Sequence, residues 1–120
     1  MTRDDAREAF RLTGIRCEDV TVEMLVDLRD RLDKALRDSG LIDGTYRMRK
    51  LPPRWKGVPG AHWAALTCRA RYFSNREAVT FNSNGFVGFA GWADDDNVKP
   101  ILEAFVEWVV AIVAHRVQPA

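Results

Sequence analysis

Cysteine is scarce in this chain: Cys17 and Cys68 are the only two in 120 residues, and they stand far apart. There is no CxxC pair and no Cys/His spacing of a zinc site, so neither a metal cofactor nor a redox motif is expected. One disulfide stays open on composition alone. The polar opening Met1-Thr2-Arg3-Asp4-Asp5 lacks the pattern of a signal peptide, which makes a reducing cytoplasm the expected compartment. No apolar run reaches about 18 residues, so no membrane span is expected. Repeats, linkers and low-complexity stretches are missing too. What remains, 47% hydrophobic and 29% charged, is ordinary globular composition and argues against disorder. The expectation is one α+β domain over residues 1–120.

Net charge is only +1, so the total nominates no partner. Its distribution is more informative. Residues 1–40 carry 8 basic and 10 acidic side chains, residues 41–76 carry 8 and 1, and residues 77–120 carry 2 and 6. A basic middle lies between two acidic ends.

Periodicity places the elements. Thr2 caps a first helix to about Thr13, with Asp4 and Asp5 at the favourable end of its dipole. Thr21 caps a second helix, about Val22 to Ser39, in which Leu25, Leu28, Leu32 and Leu36 share one face. From Thr45 the period changes to two. Strands are expected around Tyr46 to Arg49, from His62 to Phe73, from Ala78 to Phe81 and from Phe86 to Trp92. The last two flank Asn84-Gly85, the pair favoured in two-residue type I′ hairpin turns. Asn97 caps a third helix to about His115, apolar over most of its circumference. Two N-terminal helices, a four-stranded antiparallel meander and a C-terminal helix packed on one sheet face follow. Leu25, Leu28, Leu32, Leu66, Phe81, Phe105 and Val109 are the expected core.

Candidate sites compete with plainer explanations. Asp94-Asp95-Asp96 has the acidity of a cation site, but acids before a helix stabilise its dipole and the EF-hand spacing is missing. Cys68 with His62 or His115 has the residue types of a nucleophile and base. Cys68, however, falls on the apolar side of its strand beside Leu66 and Ala70, where cysteines are usually inert packing. The glycines of Gly85-Phe86-Val87-Gly88-Phe89-Ala90-Gly91 fit no phosphate-binding fingerprint. The strongest cluster is basic: Arg47, Arg49, Arg54, Lys56, Arg69 and Arg71 with Trp55 and Trp63. Arginine beside exposed aromatics suits nucleic-acid backbones and bases. It also suits the solvent face of any antiparallel sheet.

The run Val79-Thr80-Phe81 and Gly85-Phe86-Val87-Gly88-Phe89-Ala90-Gly91-Trp92-Ala93-Asp94, with Asn97 and Pro100-Ile101-Leu102, resembles segments of small proteins encoded by proteobacterial prophages and mobile elements. The likeness covers about the last third of the chain. It implies a small accessory protein that binds and blocks a host factor, the class to which anti-CRISPR inhibitors belong. No catalytic set is visible beside it. The expected function is therefore non-enzymatic docking on a host protein, with Arg47, Arg49, Arg54, Trp55, Lys56, Trp63, Arg69 and Arg71 as contacts. Nucleic-acid binding by the same residues is the alternative, and the apolar third helix offers a homodimer contact.

Overall fold

The computed structural model describes residues 1–40, 47–50, 62–68, 76–82, 84–91, 93 and 95–117. Its helices are α1 (Arg3–Arg11), α2 (Val22–Asp38) and α3 (Asp95–Val117), with a 3-10 turn at Cys17–Asp19. The strands are β1 (Arg47–Lys50), β2 (His62–Cys68), β3 (Arg76–Asn82) and β4 (Val87–Phe89). In hydrogen-bonding order the strands run β1-β2-β3-β4, each neighbouring pair antiparallel.

The caps of α1 and α2 fall on the expected Thr2 and Thr21. The Asp5 amide donates to Thr2 Oγ1 at 3.1 Å, and the Thr2 amide donates back to Asp5 Oδ2 at 2.8 Å. This reciprocal box fixes the start of a nine-residue helix that would be marginal alone. At α2, Thr21 Oγ1 accepts from the Met24 amide at 3.2 Å. The Thr21 amide reaches only the Met24 sulfur, at 3.5 Å, so the second half of that box is weak.

The α+β class fits, but a regular meander with one helix laid across it does not. Three helical pieces precede the sheet, because the 3-10 turn separates α1 from α2. The part of the sheet that packs, among the described side chains, is the two-stranded antiparallel pair β3–β4, with Ala78, Val79, Phe81, Val87 and Phe89 all buried. β2 joins this pair through two register shifts, at His62/Ala64 and Leu66/Thr67, so the pairing is not a continuous ladder. β4 is three residues long rather than seven. Finally, α3 lies chiefly along α2 and α1, and meets the sheet through long aromatic side chains. Its first turn begins at Asp95, two residues before the expected cap.

The hairpin turn is also of another kind. The Gly85 amide donates to Asn82 O at 2.9 Å and the Asn82 amide to Phe86 O at 3.0 Å. Gly85 has φ +93°, so the strands are joined by three residues closing on a left-handed glycine, not by a two-residue turn.

Trp108 is the centre of the core and fully buried. Its ring stacks on Phe10 at 6.1 Å, and its Nε1 donates to Met24 O at 2.8 Å. One side chain thus ties α1, α2 and α3 together. Leu25, Leu28, Leu32, Phe81, Phe105 and Val109 are buried as expected. Leu66 stands opposite Val79 in register.

Candidate functional sites

Among the described residues, two open grooves flank this core. The first, about 690 Å³, lies between α1, the chain at Gly14–Glu18 and the β3–β4 turn. Arg7 shapes its wall. The Arg7 Nε donates to Val87 O at 2.6 Å, Nη1 pairs with Asp4 at 2.8 Å, and the guanidinium sits 4.6 Å from the Phe86 ring centre. Val87 belongs to an edge strand, so this bond occupies a carbonyl that would otherwise invite another strand. Arg3 donates to Ala90 O and Ala93 O just beyond.

The other charges of this groove are paired locally. Arg11 meets Glu8, and Arg16 meets Glu18 at 2.9 Å and Asp19 at 3.0 Å. The Arg11 hydrogen bond holds the Glu8 carboxyl below its usual range, and Glu8 and Asp19 raise Arg11 and Arg16 in turn. Cys17 is buried; burial pushes its thiol up, partly opposed by the Asn82 backbone. Ion pairs stay charged and the thiol stays neutral, so none of these shifts moves a group toward half-ionisation near neutral pH.

Phe86 is the unusual member. It is 52% exposed although it directly precedes the buried Val87. A Cβ on Gly88 would fall inside the contact distance of Thr80 Oγ1, so glycine lets β4 lie close against β3 there. Alternation with the inward Val87 and Phe89 turns Phe86 outward, and the expected strand from Phe86 to Trp92 did not single it out.

The second groove, about 400 Å³, lies between the N-terminal half of α2 and the C-terminal half of α3. Ile15, Met24, Ala111 and Ile112 supply apolar walls; Glu23, Asp27 and His115 complete the lining. No local pattern marked this site, because the half-buried Met24 and Ile112 come from helices far apart in sequence.

The basic cluster is divided. Arg47 stands opposite Thr67 and Arg49 opposite Ala65, on the edge strand β1. Trp63 is the residue skipped where β2 shifts register. Arg54, Trp55, Lys56, Arg69 and Arg71 lie outside the described residues. Lys50 and His62, the strand ends flanking residues 51–61, belong to the sheet end that carries the β3–β4 turn, because His62 pairs with Asn82. Cys68 pairs with Arg76 at the other end, six residues or about 20 Å along β3 from Asn82. Cys17 packs near Asn82, so a disulfide between the two within one chain is geometrically excluded.

Among the described residues, no three His, Cys, Asp or Glu side chains gather as a metal site. No helix among them is long and apolar enough to cross a membrane. Compared with known proteins, the chain matches no family model, no curated protein and no solved structure.

Proposed function

We propose that this chain is a docking protein: it acts by covering a surface of another macromolecule, not by transforming a substrate. Accessory proteins of mobile elements, among them inhibitors of host defence, work in this way, and the C-terminal third resembles them. One observation carries the reading. The larger groove neutralises its own charges in internal ion pairs, keeps its thiol protonated, and displays a half-exposed aromatic, Phe86, at its lip. Exposed aromatics at a rigid turn make interface anchors, whereas catalysis needs a group poised to exchange a proton. Trp55 and Trp63 act with Phe86, and Arg47, Arg49, Arg54, Lys56, Arg69 and Arg71 steer an acidic host protein toward them. The test is crosslinking in host lysate with wild type, Phe86→Ser and Trp55→Ala. A partner captured by wild type and lost from both variants supports docking. Identical recovery from all three contradicts it.

A second reading rests on β1, in which Arg47, Arg49 and Lys50 are three of four residues. In that reading the basic segment holds nucleic acid. Affinity for a DNA duplex then falls with salt at a log-log slope near −0.9 per phosphate neutralised, and a flat salt profile rejects it.

A further inference from the structure

The two grooves differ in how their charges are used, and the smaller one is the more telling. Its walls are apolar and, among the described residues, its lining carries two carboxylates, Glu23 and Asp27, and no lysine or arginine. Asp27 already meets Arg31 at 3.0 Å, but Glu23 is exposed and has no ion pair among the described residues. The wall between rim and floor is adjustable. Met24 is anchored through its backbone by Trp108, while its half-buried side chain rests against the core and accepts only a weak contact from the Thr21 amide at sulfur. Releasing that contact costs little, and methionine is the residue most adaptable to a partner's shape.

We propose that this α2–α3 groove seats a basic amphipathic helix of a partner protein. Apolar side chains one turn apart on that helix fill the space between Ile15, Met24 and Ile112, and a flanking lysine or arginine meets Glu23. A cleft between two helix ends with an apolar floor is the usual seat for such a segment. The charge of the rim selects a basic helix over an acidic one. The inference rests on the docking reading but concerns a different surface, so the two fail separately.

The probe is a synthetic Leu/Lys amphipathic peptide, with its Leu/Glu twin as control, titrated into the full chain by NMR. The Leu/Lys peptide is expected to shift resonances of Ile15, Met24, Ile112 and His115, and the twin is not. Glu23→Lys should weaken the peptide about tenfold and Glu23→Gln by less; because Glu23 lies in the first turn of α2, the reversal should also lower thermal stability slightly, and Glu23→Gln by less. Met24→Ala should also weaken it. Equal binding of both peptides, shifts centred on Phe86, or an affinity indifferent to Glu23→Lys would overturn the proposal. So would light scattering that shows a dimer which the peptide cannot displace, because a second copy would then hold the groove. A negative result here leaves the Phe86 crosslinking test unaffected.

Discussion

The groove at α1 and the groove between α2 and α3 share a core residue and little else. Trp108 stacks on Phe10 beneath the first and bonds Met24 O beneath the second. In the first, each guanidinium has a carboxylate, and Arg7 also holds the edge strand. Charge there maintains the fold. In the second, Asp27 meets Arg31 on the α2 side of the apolar walls, and Glu23 has no ion pair among the described residues. Charge in excess of what the fold uses is what a partner can read. The size of a groove is thus a poorer guide to its role than whether its ions are already paired.

The contrast can be broken most forcefully at the shared residue. Trp108→Ala should cost about 3–5 kcal/mol by chemical denaturation, because it empties the centre of both walls. Trp108→Phe should cost less, and its loss should fall mainly on the α2 side, where Met24 O gives up its indole donor. Next, Arg7→Ala should cost about 1–3 kcal/mol, and Arg7→Lys should restore only part of it, since a point charge cannot serve Val87 O, Asp4 and the Phe86 face together. Stability unchanged by Arg7→Ala would mean that the first groove's charges are not committed to the fold.

Smaller effects sharpen the picture. Thr2→Ala should cost about 1 kcal/mol through loss of the reciprocal cap. Its pH signature has a definite sign. The Thr2 amide, and then its hydroxyl, hold the Asp5 carboxyl below the usual range, so the unfolded chain binds that proton more readily than the native one. The contribution is present above the unfolded carboxylate pKa and fades as pH falls through the native value. Acid titration of wild type should therefore show a loss that Asp5→Asn removes. Cys17 behaves oppositely: its raised thiol contributes below the unfolded value and loses that contribution as pH rises. Thiol labelling of Cys17 in the native state should accordingly be far slower than after denaturation.

Local rules made much of the fold legible. Thr2 and Thr21 announced their helices, and the Leu25-Leu28-Leu32-Leu36 spacing announced the buried face of α2. The misreadings arose where tertiary contacts decide. Because α3 is apolar nearly all round, its pattern does not single out Trp108, and only the position of Phe10 and Met24 makes it central. Asn84-Gly85 suggested a two-residue turn, yet the bond from Gly85 to Asn82 selects a longer one. The candidate sites were less visible still. Arg7 bonds a carbonyl 80 residues away, and the α2–α3 groove joins residues more than 80 apart, so no local pattern could report either.

The most direct measurement compares one ligand against two charge reversals. A Leu/Lys amphipathic peptide is titrated into Glu23→Lys, which alters the α2–α3 rim, and into Glu8→Lys, which breaks the Arg11 pair in the other groove. Affinity lost with Glu23→Lys and kept with Glu8→Lys is the predicted result. Equal losses, or a loss confined to Glu8→Lys, would contradict the division of labour between the two grooves.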